Sequence, residues 1–449
     1  MRAAATANPG DGTNRMRLAL RALRHRNFRL FTFGQSISLV GTWMQQVAVG
    51  WLVYRLTGSP FLLGLVGFVS QGPGFFLAPF AGVLADRYDK HRIVLAAQSV
   101  MMVQAFVLAG LVLTGHITIV WIVVLMAVLG AASGFDVPAR QSFLIDMVGA
   151  REDLPNAIAL NSSIFNAARL VGPAIAGLAI AVLGEGWVIL LNAVSYVAVL
   201  ASLLMMRVPR RAARAHGAVF GHMAEGFRYA FGFPPIRSLL LMVSIVSLLA
   251  VPYTVLLPVI ARETLGGGPE TLGFLMSAIG LGALSGALFL ATRSSVRGLG
   301  RVIAGAALLF GGALVGVALS RSLWLSLLLL LFAGFGMMAQ MASTNTVLQT
   351  IVDDDKRGRV MSLYTMAFVG MSPIGSLLAG LAAARLGTTT TIAMGGVAAM
   401  IAALAFGRHL PVLRAQVRPI YERLGILPEL ARGIQAATHQ TTPDTDELS

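Results

Sequence analysis

The chain has 449 residues, 56% of them hydrophobic and only 12% charged, with a mean hydropathy of +0.78. Soluble domains carry about 25% charged residues, so this composition excludes a water-soluble enzyme and leaves no stretch for a soluble catalytic domain. Zero cysteines exclude disulfides, thiolate metal sites and cysteine nucleophiles. The seven histidines lie outside the apolar runs or at their edges, without the i, i+4 pair of a helical metal site.

Residues 1–30 are polar and basic and hold no cleavable leader; the apolar run that follows is predicted to act as an uncleaved anchor. A spanning helix needs about 20 apolar residues. Twelve runs meet this, at roughly 31–54, 61–85, 93–113, 118–138, 157–183, 187–206, 237–261, 271–292, 302–320, 323–346, 360–384 and 389–407. The first carries Gln35, Ser38, Thr42, Gln45 and Gln46 at helical spacing. A polar stripe is costly against lipid, so this face is predicted to meet protein or a water-filled cavity.

The connection after the second run reads Gly82-Val83-Leu84-Ala85-Asp86-Arg87, followed by Asp89-Lys90-His91-Arg92. The fourth run ends in Asp136 with Arg140 one turn later, and the fifth contains Arg169, Gly172, Pro173 and Gly177. An arginine deep in a span costs roughly 2.5–3.5 kcal/mol, so Arg169 is expected to find a partner. The preceding span offers Asp136, which gives a predicted Asp136–Arg140–Arg169 cluster serving gating, proton coupling or plain stapling. Ala168, Gly172 and Ala176 form a small-residue ladder for close helix approach, and Pro173 marks a pivot.

Segment 207–236 joins two groups of six runs. It opens on Arg207, Arg210, Arg211 and Arg214 and continues with Val219, Phe220, Met223, Phe227 and Phe231, which predicts an amphipathic helix at the cytoplasmic interface. Asn161, Asn166, Gln340, Asn345 and Tyr364 are further polar residues in or near spans. With Gln35, Ser38, Thr42 and Gln46 they are candidates to line an uncharged pathway suited to bulky amphipathic cargo. Residues 237–410 form the second bundle, matching 31–206, and 411–449 a C-terminal tail.

The net charge of +15 raises nucleic acid as a partner, but its placement argues for topology instead. Of the 34 Lys and Arg residues, 29 fall on the side of the two termini, Arg55, Arg262, Arg321 and Arg385 fall opposite, and Arg169 lies within a span. By the positive-inside rule both termini are cytoplasmic, in the inner membrane, and the basic residues are not a nucleic-acid surface. The chain also repeats: Gly58-Ser59-Pro60 with Leu63-Gly64 recurs as Gly267-Gly268-Pro269 with Leu272-Gly273, and Leu160, Gly172 and Ala176-Gly177 recur as Leu363, Gly375 and Ala379-Gly380. These echoes predict an all-α membrane protein of twelve helices, in two six-helix halves related by a pseudo-two-fold axis along the membrane normal.

The 82–92 loop resembles the signature Gly-x-Leu-x-Asp-Arg loop of the major facilitator superfamily, with Asp89 where a Gly is usual. The resemblance implies that Gly82 permits close helix contact and that Asp86 caps a neighbouring helix and pairs with a cation, in a gating loop with Arg87 and Arg92. Gly172-Pro173 resembles the fifth-helix motif of the superfamily's antiporters, with Ala176 in place of a second Gly, and this implies export. Arg26-Asn27-Phe28-Arg29, Gly34-Gln35, Gly41-Thr42-Trp43, Trp51, Leu56-Thr57-Gly58-Ser59-Pro60 and Asn156-Ala157 resemble the enterobactin-exporter and secretion-effector branch. That branch implies a monomer that exports siderophores, drugs or other small amphipathic metabolites against protons by alternating access. A facilitator or importer of a neutral solute, or a non-transporting sensor or scaffold, are the competing readings. No catalytic residue, metal or cofactor is expected: both lysines, Lys90 and Lys356, follow Asp, so no phosphate-binding P-loop exists.

Overall fold

The computed structural model describes residues 20–149, 151–207, 227–293 and 295–426, apart from the side chains at 78, 79, 82, 83, 85–87 and 151. Twelve long helical segments run through them. The first half holds α1 (Arg26–Thr57), α2 (Pro60–Arg87), α3 (Lys90–Leu113), α4 (Ile119–Val148), α5 (Leu154–Leu183) and α6 (Glu185–Leu204). The second holds α7 (Pro234–Thr264), α8 (Pro269–Ala291), α9 (Leu299–Leu319), α10 (Leu323–Ile351), α11 (Asp354–Leu386) and α12 (Thr388–Arg423). Eleven of the twelve are long and apolar enough to cross a membrane; α1, which carries the polar stripe, falls short on composition.

Local chemistry sets the ends. Ser59, Asp89 and Thr118 accept backbone N–H bonds at the starts of α2, α3 and α4. Gly184 and Gly387 are one-residue turns, with φ of 84° and 88°, that reverse the chain between α5 and α6 and between α11 and α12.

Three elements depart from the predicted spans. The seventh is not one regular helix: π turns at Val246–Ala250 and Ile260–Thr264 bracket a 3₁₀ stretch at Val251–Leu256. Pro252 and Pro258 lack the N–H that a regular helix needs there. The eleventh contains a π turn at Met366–Gly370. The twelfth passes the predicted boundary at 410 and continues to Arg423, burying Leu413 and Val417. Of the predicted amphipathic linker, Val219, Phe220 and Met223 lie outside the described residues, whereas the Phe227 and Phe231 rings stack at 5.5 Å.

The helix pairings carry the repeat. In the first half α1 packs on α5 and α6, α2 on α4, and α3 on α4 and α6. Adding six to each number gives the pairings of the second half. The halves meet along α2–α11 and α5–α8, two contacts that the same operation exchanges. Both crossings are made of glycine, and of the very glycines in the sequence echoes. A Cβ at Gly64 would stand 2.8 Å from the Gly380 Cα, and one at Gly273 would stand 2.9 Å from the Gly177 Cα. Gly172 and Gly375 repeat the pattern within the halves, receiving Trp43 of α1 and Pro252 of α7. Small residues let backbones approach where the hydrophobic effect cannot pull helices together.

The residues preceding α1 are pinned to its own half. Asn27 donates to the Arg207 carbonyl at 2.9 Å and accepts from the Arg207 N–H, closing the end of α6. Asn156 accepts from the Ala22 N–H at 2.9 Å, and Phe28 and Ala157 are fully buried. Buried Asp153 bonds His25 at 2.7 Å and pairs with Arg21 and Arg24. The His25 hydrogen bond, with the two arginines adding to it, holds the Asp153 carboxyl below the usual carboxylate range. Its stabilisation is complete above the unfolded value of about 3.9 and is lost as pH falls through the lower folded value. Asp153→Ala should therefore speed tryptic cleavage after Arg21 and Arg24 at neutral pH while leaving the helical circular dichroism unchanged. Equal cleavage rates in variant and wild type would show that other contacts hold this segment.

Candidate functional site

The termini define a near face, and the opposite side a far face. Between the halves, towards the far face, lies a cavity of about 380 Å³. Its first-half wall carries most of the polar groups, Thr42, Gln45 and Gln46 from α1, Ser70 and Gln71 from α2, Asn192 and Tyr196 from α6, set among apolar residues such as Leu63, Val66, Met126 and Leu129. Its second-half wall is nearly apolar, with Thr254, Val255 and Pro258 from the irregular part of α7 and Leu272 and Met276 from α8. Among the described residues no charged side chain lines it.

The α1 stripe splits on folding. Thr42 and Gln46 are exposed to this space although their neighbours Gly41, Met44, Gln45 and Val47 are buried. Gln45 accepts from the Asn192 amide at 2.6 Å, fixing that amide in the wall. Gln35 and Ser38, predicted to line the pathway, do not: both are buried (5% and 2% exposed). They sit on the α1 segment where Gly34 and Gly41 bring α6 too close to leave a channel.

The other predicted lining residues are dispersed. Asn166 donates to the Ser162 carbonyl at 2.9 Å, and the Tyr364 hydroxyl donates to the Met341 carbonyl at 3.0 Å. Gln340 is buried with neither amide atom hydrogen-bonded. Asn345 accepts from Gln349 at 2.6 Å and lines a separate polar pocket towards the near face, with Thr346 and Arg357. These positions share no surface with the central cavity.

The predicted three-residue charge cluster forms only in part. Asp136 is buried, accepts from Gln98 at 2.9 Å and pairs with Arg140 at 3.0 Å. Arg169 is not with them. Its guanidinium lies 5.9 Å from the centroid of the Trp43 ring, beside Tyr253, and among the described residues it makes no ion pair. An aromatic face serves a desolvated cation, and Gly172, one turn along, gives Trp43 the room to come up against α5. Trp43 also lines the cavity, so Arg169 stands directly behind its wall. Of the signature loop, the side chains of Gly82, Asp86 and Arg87 lie outside the described residues, and Arg92 is exposed. Neighbouring Lys90 reaches α4, 3.6 Å from Asp146.

Closure is one-sided. The two glycine crossings lie near the far-face ends of their helices, and there the Tyr54 hydroxyl donates to the Glu263 carboxylate across the halves. Towards the near face, Ser162 and Ser163 of α5 and Gln349 of α10 are exposed within their helices. The Ser163 hydroxyl donates back to the Ala159 carbonyl at 2.9 Å, and Gln349 donates to Asn345 and lines the near-face pocket of the second half. The residues that sequence reasoning missed, Asn192, Tyr196 and Gln71, stand in strongly apolar runs. Their only signal was a polar side chain without a topological reason.

The sequence profile of the transmembrane secretion effector family matches residues 18–422. The staphyloferrin A transporter of Staphylococcus aureus is 30% identical over 84% of this chain and 94% of its own. The multidrug efflux pump Tap of Mycolicibacterium fortuitum is 26% identical over 78% of this chain and 88% of its own. Among solved structures, the nucleoside transporter NupG superposes with a TM-score of 0.68 over 87% of this chain and 99% of its own, at 12% identity. The paired halves, the cavity between them and these matches converge, and the chain belongs to the transmembrane secretion effector family of the major facilitator superfamily, whose members are membrane transporters and not enzymes.

Proposed function

We propose that this protein exports an amphipathic small molecule, of the siderophore or drug class, from the cytoplasm by alternating access. The observation that carries the reading is the cavity: a pocket without charged lining among the described residues, its hydrogen-bonding groups gathered on the first-half side, lying between two halves that meet along the α2–α11 and α5–α8 crossings. Such a surface holds a cargo with polar edges and an apolar face, and charged ions would find no counter-charge in it. The named relatives, a siderophore transporter and a multidrug efflux pump, support the cargo class. The excess of Lys and Arg on the near face supports its being cytoplasmic. On this reading the structure is the inward-open state, closed outside by the Gly64–Gly380 and Gly177–Gly273 crossings.

Energy comes from the proton gradient. Within that reading Asp136 is a staple between α3 and α4 and not the proton carrier, because Arg140 and Gln98 already satisfy it. Glu263, hydrogen-bonded across the halves at the far face, is the carboxylate whose protonation would loosen outer closure.

Purified protein in liposomes with an imposed pH gradient should accumulate labelled siderophores or dyes in inverted vesicles, and a protonophore should abolish it. Equilibration regardless of the gradient would sink the coupling. Asp136→Asn should cost about 1–3 kcal/mol of stability, read as a lowered melting temperature, with the pH profile of export unchanged; a displaced pH optimum would return Asp136 to the coupling path. Because the chain has no cysteine, Thr42→Cys gives a single probe in the cavity. Gly64→Val, which forces the outer crossing apart, should raise modification of that thiol by an impermeant maleimide added outside severalfold. Unchanged labelling would mean that the crossing does not close the cavity.

A further inference from the structure

A second cavity, of about 370 Å³, lies wholly in the second half, at the near-face end of α7, α9, α10 and α12. Nothing in the transport cycle uses it. Its floor is apolar, built from Leu239, Ile303, Val347 and Phe406, and its mouth is cationic, with Arg297, Arg414 and Arg418. Among the described residues no carboxylate lines it. Arg418 is held by Glu422 one turn on, at 2.9 Å. Arg297 and Arg414 are exposed and have no ion-pair partner among the described residues.

The unpredicted extension of α12 builds this site. Arg408 is the first charge on that helix, and at about 1.5 Å per residue Arg414 stands roughly 9 Å further from the membrane centre. Phe406 is on the membrane side of Arg408 and Leu413 and Val417 are beyond it, all three buried against the same groove. The groove thus runs from hydrocarbon depth to the headgroup layer and ends in paired cations. Gly300 at the start of α9 keeps it narrow, since the Leu410 side chain lies where a Cβ would be.

We infer that this groove is a binding site for an anionic glycerophospholipid of the near-face leaflet, with an acyl chain along the α7–α9–α12 floor and the phosphate between Arg297 and Arg414. Basic pockets between transmembrane helices on that side attract lipid phosphates, and arginine matches phosphate oxygens with paired donors. A zwitterionic lipid would offer the same phosphate but bring its own headgroup cation against Arg297 and Arg414, which offsets the charge match. The cargo does not fit the same description, because its cavity is uncharged and lies between the halves, towards the other face.

The test uses the full chain in detergent, with lipid occupancy read by native mass spectrometry and by the melting temperature. Phosphatidylglycerol should bind about tenfold more tightly than phosphatidylcholine of the same chains, and soluble glycerol phosphate should neither bind nor stabilise. In Arg297→Glu/Arg414→Glu the preference should fall to within twofold. Gly300→Leu, which fills the mouth without changing charge, should lower the affinity for both lipids. Equal binding of the two lipids by wild type would overturn the inference, and so would an unchanged preference in the charge-reversed protein. Stabilisation by glycerol phosphate alone would make this a plain anion site. The wild-type comparison stands even if a variant fails to fold, and it is independent of whether the protein proves to be an exporter.

Discussion

In a bilayer two helical bundles gain little by hiding apolar surface from each other, because the surrounding chains are equally apolar. What remains is close packing of backbone on backbone, and it demands positions without side chains. Here the demand falls on four glycines. Gly64 against Gly380 and Gly177 against Gly273 are the places where the halves come nearest at the far face. The position of the cavity follows from them: backbones in contact at the far face roof the space between the halves on that side.

That arrangement also explains why the polar residues of the spans are tolerated. Thr42 and Gln46 are exposed in a stretch of α1 whose neighbouring residues are buried or half-buried, and Ser162, Ser163 and Gln349 are exposed closer to the helix termini. In a sealed bundle these groups would need partners or would weaken the spans. Here Thr42 and Gln46 face the cavity between the halves, and Ser163 and Gln349 are hydrogen-bonded within their own helices.

Much of the architecture was legible because the constraint that creates it also marks the sequence. The close approach that forbids a side chain at Gly64 and Gly177 forbids it again at Gly273 and Gly380, so the pseudo-symmetry survives as repeated glycines when most other positions have diverged. The site was less legible. Gln35, Ser38, Thr42 and Gln46 share spacing and polarity, and only the position of α6 decides that the first two are packed and the last two exposed. Arg169 was expected to need a carboxylate, yet an indole face and a tyrosine serve a cation in a dry environment, and residue type alone does not say which is used. The breaks in α7 and α11 were hidden for another reason: a π turn keeps the apolar pattern of a helix, and the prolines at 252 and 258 fix where a helix is weak without fixing how it yields.

The two halves share a frame but divide its chemistry. Tyr54 and Glu263 are 209 residues apart, the same offset as Gly64 and Gly273, so they occupy positions that the pseudo-two-fold axis exchanges. Residues so related meet across the axis, and two carboxylates there would be two acceptors of like charge. A phenol facing a carboxylate resolves this, and it makes the contact sensitive to the charge on one partner. The same division runs through the cavity. The first half supplies nearly all the hydrogen-bonding groups from regular helices, α1, α2 and α6, whereas the second half supplies apolar groups from the irregular part of α7. Recognition groups on regular helices keep their geometry through a rocking motion. A helix whose backbone pattern already departs from the regular one can change its path without first breaking an ideal ladder. The symmetry of the scaffold therefore sets where the halves meet, and its violation sets which half lines the cavity with hydrogen-bonding groups and which half carries the irregular helix.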